Sequence, residues 1–135
     1  MAAQGTIPKG AEMPQRQTPR IAYERLTEDA LVVRLLGEWD LGNVSELRAT
    51  TADVLDECEL LIVDLSQTDF IDSSVVHALL DARQQALCQE KRLILQVGAA
   101  SIIRRALGIS GVMDVIPVVE SVEGVEQLLA YLGKQ

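Results

Sequence analysis

The segment Asp69-Phe70-Ile71-Asp72-Ser73-Ser74 sets carboxylates and hydroxyls side by side just ahead of a long amphipathic run. An aspartate in that place accepts backbone N–H groups of a first helical turn, which makes Asp72 an N-cap and Ser73 the first helical residue. The Ser73 hydroxyl then faces solvent at a helix end that bears partial positive charge, where an anion is tolerated. A phosphoryl group on Ser73 would add about −1.5 to −2 charge there. Asp72, Asp69 and Asp40 lie near enough to oppose it, so such a modification would change a binding face and leave the fold alone. The plain alternative is that Asp-Ser-Ser is only a helix start, since these residue types are the commonest caps.

Other residues invite chemistry, each with an ordinary reading beside it. A second polar concentration, Gly37-Glu38-Trp39-Asp40, follows a β-branched run. Trp39, the only tryptophan, either packs over the sheet edge or anchors an interface. His77, the only histidine, is an exposed helix residue unless it faces a partner, where it would tune binding near neutral pH. Cys58 and Cys88 fall at the end of the sheet opposite Ser73; they are either a redox-sensitive pair or two reduced thiols. Arg104 and Arg105 make a small basic spot that reads as solvated helix charge, with partner contact as the alternative.

Catalysis lacks its parts. With one histidine and no base placed beside Ser73, nucleophilic chemistry is not supported. There is no P-loop, no Gly-x-Gly-x-x-Gly and no Cys or His cluster at metal spacing, so no cofactor or metal is expected.

The elements that must position these residues follow from periodicity. Residues 21–26 and 31–36 read as strands, and Gly37 to Asp40 breaks the second. Asn43 caps a helix that runs to about Asp56. Residues 60–65 (LLIVDL) are the most apolar strand and belong at the sheet centre. Asp72 caps a helix to about Gln89, with Val76, Leu79, Leu80, Ala86 and Leu87 toward the core. A strand over 93–97, a short helix over 99–107 stopped by Gly108, a strand over 115–119 and a helix over 122–132 complete the order ββαβαβαβα. Right-handed crossovers then give an α/β fold, a mostly parallel sheet of about five strands with about four helices packed on it. Ligand and partner sites in such sheets gather where strands end and helices begin, which is where both polar junctions lie.

Bulk properties set the limits. The chain of 135 residues is one domain by length, and a chain this size buries roughly 68% of its unfolded surface without disulfides or metal. Residues 1–19, with Pro8, Pro14 and Pro19 and no period, read as a disordered leader, with a tethering role as the alternative; residues 20–135 form the domain. Net charge is −8. Lys9, Arg16 and Arg20 against Glu12 make the first twenty residues cationic, so the rest is more acidic still, and binding to a nucleic acid is excluded. No apolar run reaches the length of a membrane span and no secretory signal is visible, which predicts a cytoplasmic protein with no membrane association.

Three motifs at matching spacing, GEWD at 37–40, LIVDLSQTDFIDSS at 61–74 and LGISGVMDVIPV at 107–118, resemble the STAS domain, the sulfate transporter and anti-sigma factor antagonist family. The likeness covers about Ile21 to Leu132. It implies an anti-sigma factor antagonist, which binds an anti-sigma factor of serine-kinase type, frees a sigma factor, and loses binding when phosphorylated. Carried onto this chain, Ser73 is the phosphoacceptor, and Glu38, Trp39, Asp40, Asp72, Ser73, Ser74, Val75 and His77 form the partner-binding surface. The kinase would bring ATP and magnesium. Such a protein runs as a monomer or dimer. The same family also supplies scaffold subunits of stress-signalling assemblies and small STAS subunits of lipid-transport ABC complexes. Val75 replaces the usual Gly, and His77 replaces a small residue. A β-branched side chain at Val75 is expected to crowd Ser73, so kinase docking should suffer more than partner binding.

Overall fold

A computed structural model describes residues 18–98 and 101–120. Its spine is β2, Ala30–Trp39, in which buried and half-buried positions alternate nearly throughout as the pleat demands. β1, Arg20–Arg25, runs antiparallel along it, from Arg20 opposite Leu36 to Arg25 opposite Leu31. On its other side β2 pairs in parallel with β3, Leu60–Asp64, whose five residues are all buried. A strand covered on both faces should read as a continuous apolar run, which is how LLIVD reads. β5, Arg92–Gln96, and β6, Val118–Val119, extend the sheet in parallel to give the order β1-β2-β3-β5-β6.

A sixth strand is the main departure from expectation. β4, Thr68–Ile71, pairs in parallel with the far end of β2, Gly37 opposite Thr68 and Trp39 opposite Ile71. β2 is therefore long enough to serve two partners, residues 30–34 with β3 and 37–39 with β4. Between them the chain sidesteps. Leu65 N–H bonds Gln96 O at 2.8 Å, Thr68 N–H turns back to Leu65 O at 3.1 Å, and Thr68 Oγ1 donates to Leu35 O at 2.7 Å. Gly37 takes φ 87 at the register shift, a conformation that suits glycine. The expected break of β2 at Gly37 is thus a bulge, and the strand resumes through Trp39.

Three α-helices follow: α1 Val44–Leu55, α2 Ser73–Cys88 and α3 Ile102–Ser110. They pack with Val33, Leu35, Leu61, Val63, Leu93 and Leu95 into one core cluster, while Ala30, Val32, Leu60, Ile62 and Ile94 cluster separately. Alternation along the strands places the second cluster on the opposite sheet face. Arg34 and Asp64, directly opposed in register, form an ion pair at 2.8 Å, with the Asp64 carboxylate buried. That pairing raises the Arg34 pKa further, against the desolvation that opposes it.

Several boundaries move. The buried face of α2 is Val75, Ala78, Leu79, Ala82 and Ala86; Val76 and Leu80 are half-buried and Leu87 is exposed. The alanines at 78, 82 and 86 lie one above another and bring the helix close to the sheet, so the bulky residues fall to its flanks. α3 begins at Ile102, capped by Ser101 Oγ accepting from Ile103 N, and runs through Gly108 to end at Gly111 in the left-handed region (φ 82). Val112–Asp114 is a 3-10 turn, so the expected strand over 115–119 shrinks to Val118–Val119. The expected helix over 122–132 and nearly all of the expected leader lie outside the described residues.

Candidate functional site

The ends of β2 and β4 are paired side by side, Trp39 against Ile71; β4 passes directly into the α2 start, and β2 reaches α1 through the short loop 40–43. This brings the two polar junctions of the sequence together, and Asp72 is the tie. Its Oδ1 accepts from Ser74 N at 2.9 Å, Val75 N at 3.2 Å and the Ser74 hydroxyl at 2.5 Å, while Oδ2 accepts from Leu41 N at 3.0 Å. One carboxylate therefore caps α2 and holds the β2–α1 loop. Desolvation pushes the Asp72 pKa up, but the hydrogen bonds from the Ser74 hydroxyl and from the Val75, Leu41 and Ser74 N–H groups outweigh it and leave the carboxyl below its usual range.

The loop itself is fastened by Asn43. The sequence predicts it as the cap of α1, yet it makes no side-chain cap bond; its Oδ1 accepts from Asp40 N at 2.8 Å and its Nδ2 donates to Glu38 O at 3.1 Å. Asp40 Oδ1 in turn accepts from Gly42 N at 2.9 Å. The sequence reading missed the part played by Asn43 and Leu41. Asn just before a β-branched helical start reads equally well as a cap, and nothing local distinguishes the two uses.

Of the predicted surface, Asp72, Ser73, Ser74 and His77 share the first turns of α2. Glu38 and Asp40, both half-buried, lie on the neighbouring strand end and loop. Ser73 is exposed and its hydroxyl makes no hydrogen bond to the described residues, whereas that of Ser74 is committed to Asp72. Two predicted contact residues lie inside the fold. Trp39 is 0% exposed and its Nε1–H is bonded to Leu36 O at 3.0 Å, so packing against the sheet, not interface anchoring, is its role. Val75 is also 0% exposed and belongs to the core cluster. Its β-branch points inward and does not crowd Ser73, contrary to expectation, because the third helical residue falls on the buried face.

The helix start is less open to an anion than the sequence suggested, since Asp72 already engages the N–H groups of Ser74 and Val75. Beside it runs a groove of ≈ 340 Å³ between α2 and α3, lined by Val76, Leu80, Ala106 and Ile109 with Asp72, Ser73 and His77. Leu41, Phe70 and Ile109 are large exposed apolar side chains near this end of the sheet, with Leu41 76% and Ile109 81% exposed. An apolar residue within a polar junction, as Leu41 follows Asp40, was the available signal.

The cysteines stand apart. Both are free thiols: Cys58 is buried with Sγ 3.3 Å from Val54 O, and Cys88 is exposed with Gln84 Nε2 at 3.7 Å. Burial pushes the Cys58 thiol pKa up, partly offset by Lys91. A redox pair is not supported, because the Cys58 side chain is packed into the core. Arg104 faces Glu120 at 3.7 Å, so its half of the basic spot is engaged within the chain, and Arg105 is exposed. Among the described residues no group of three or more His, Cys, Asp or Glu could hold a metal ion, and no helix is long and apolar enough to cross a membrane.

This architecture recurs in known proteins. An anti-sigma factor antagonist from Mycobacterium paratuberculosis is 21% identical, with a TM-score of 0.70 over 84% of this chain and 93% of that one. The Bacillus cell fate determinant SpoIIAA in its phosphorylated form is 23% identical, with a TM-score of 0.62 over 81% and 99%. A sulfate transporter family protein from Wolinella succinogenes is 17% identical, with a TM-score of 0.60 over 78% and 88%. The sequence model of the STAS domain matches residues 22–125, a span that takes in the β2 and β4 ends, the Asp72 tie and the groove. The six-stranded, mostly parallel sheet with its polar helix start at Ser73 is therefore that of a STAS domain, and the chain belongs to the STAS domain family.

Proposed function

We propose that this domain is an anti-sigma factor antagonist that binds an anti-sigma factor through the end of the sheet around Ser73 and is released when Ser73 is phosphorylated. The observation that carries the reading is the division of labour between adjacent serines. Ser74 is consumed by the Asp72 cap, and Ser73 stands exposed with its hydroxyl uncommitted, one residue beyond the tie that holds the binding loop. The names of two structural neighbours, antagonists of this kind, support the role. The domain acts by binding, and the kinase supplies ATP and magnesium.

Phosphorylation would work through charge. A phosphoryl group adds about −1.5 to −2 to a rim that already holds Asp72, Asp69, Asp40 and Glu38. With the helix-start N–H groups of Ser74 and Val75 taken by Asp72, that charge is not absorbed by the helix start and adds to the rim that meets the partner. The inward orientation of Val75 leaves the approach to Ser73 open to a kinase active site.

The test is an affinity pull-down from source-cell lysate with the wild type, Ser73→Ala and Ser73→Glu, with partners identified by mass spectrometry. An anti-sigma factor retained by wild type and Ser73→Ala and weakened by Ser73→Glu supports the switch. Equal retention by Ser73→Glu removes Ser73 control and leaves the antagonist role. Recovery of ABC-transporter subunits or of other STAS chains would replace the sigma-pathway role altogether.

A further inference from the structure

The helix start offers little to a phosphoryl group on Ser73. Asp72 Oδ1 holds the N–H groups of Ser74 and Val75, and the Asp72 carbonyl oxygen holds those of Val75 and Val76. The Asp72 carboxylate itself repels a second anion. A helical side chain, however, leans back over the turn that precedes its own Cα. His77, four residues beyond Ser73, leans over the Ser73 turn at a spacing that puts Cβ atoms about 5–6 Å apart. Both residues are exposed, and both line the α2–α3 groove.

Resting on the use of Ser73 proposed above, we propose that His77 is the receptor for the phosphoryl group: the protonated imidazole pairs with phosphoserine and holds it across the mouth of the groove. Modification then does two things. It adds charge to the rim, and it covers the apolar lining made by Val76, Leu80, Ala106 and Ile109. The surroundings of His77 leave the imidazole free for this. On its own helix, Asp72 is turned into the cap, and Asp81, one turn on, is ion-paired with Arg48 of α1 at 2.6 Å. From α3 the groove receives Ala106, Ile109 and Ser110, none of which titrates near neutrality. From β4 it receives Ile71, with Asp69 exposed two residues earlier. Phosphoserine loses its second proton near pH 6, and a phosphate and an imidazole in contact must be reciprocally linked in their proton binding.

The experiment is a pair of NMR titrations on the full chain with phosphoserine installed at position 73 during translation. Imidazole proton shifts and the phosphorus signal are followed against pH at low salt and at about 0.5 M salt. The imidazole of His77 should titrate higher in the phosphorylated chain than in the unmodified one by about 0.2–0.4 unit at low salt, with part of that shift kept at high salt. The phosphate should titrate lower by a similar amount than in phosphorylated His77→Gln. Identical phosphate titrations with and without His77 would overturn the proposal, as would a coupling that vanishes at high salt, which is long-range charge and not contact. Because the phosphate is installed without a kinase, either result leaves Ser73 regulation standing, and a failed pull-down leaves this coupling measurable.

Discussion

Replacing Asp72 tests the centre of the site, because one carboxylate does two structural jobs. Asp72→Ala removes the cap from Ser74 N and Val75 N, the acceptor of the Ser74 hydroxyl, and the tether to Leu41 N. Loss of an N-cap costs about 1 kcal/mol, and the two further hydrogen bonds, in a half-exposed setting, add about 1–2 kcal/mol together. The expected loss is therefore about 2–3 kcal/mol, read as a fall in the urea midpoint at unchanged slope and a drop in Tm of about 8–12 °C. Asp72→Asn keeps a good capping side chain but sets an NH2 against Leu41 N–H in place of the accepting Oδ2, so losing that tether together with the charge should cost about 1–2 kcal/mol. The pH dependence separates the two contributions. The folded carboxyl has a lowered pKa, so in the window between the folded and unfolded values the unfolded chain binds more protons and stability rises with pH. The advantage of the wild type over Asp72→Asn should be complete above the unfolded value of about 3.9 and shrink as pH falls through it toward the folded one. Partner affinity should fall in both variants as the Leu41 loop is released or loosened. Stability within about 0.5 kcal/mol of wild type for Asp72→Ala, or a wild-type advantage over Asp72→Asn unchanged at strongly acid pH, would show that Asp72 is not the tie described.

Further consequences follow from the packing. Trp39→Ala should cost about 3–5 kcal/mol, and the native emission of this single tryptophan should be blue-shifted and unmoved by partner binding; a red-shifted native emission would place it at the surface. A thiol reagent should label Cys88 at once and Cys58 only on unfolding, so two fast equivalents in the native chain would contradict the burial of Cys58. Asp64→Asn leaves Arg34 with only the exposed Glu24 carboxylate at 3.3 Å as a charged partner and should cost about 2–3 kcal/mol in denaturant unfolding, whereas a neutral result would mean that Glu24 and water satisfy the guanidinium. Glu90, at φ 61 just past the end of α2, is a non-glycine residue in the left-handed region, so Glu90→Gly should raise Tm by an amount worth up to about 1 kcal/mol; a loss would mean its side chain is needed.

The order of elements up to residue 119, β4 apart, and the position of Ser73 were legible in the chain itself. Local chemistry decides both: β-branched runs at Leu31 and Leu60 make strands, and Asp-Ser-Ser ahead of an apolar stripe makes a helix start with its first hydroxyl outward. What the sequence could not settle depends on neighbours far along the chain. TDFI is too short to declare itself a strand, and it becomes β4 only because the end of β2 offers it a partner. Gly37 looks like a stop, and becomes a bulge for the same reason. The phase of α2 depended on how closely the sheet lets it approach, which favoured the alanines and turned Val75 inward. Trp39 gives no local sign of which way it faces; pairing with Ile71 and the bond to Leu36 O fix it inside. The bond from Asp72 to Leu41 joins residues thirty-one apart, and the nearness of the two polar junctions follows from parallel pairing, not from spacing. Short-range preferences thus specified which residues begin and end each element, and the pairing of distant strands decided which of them face a partner.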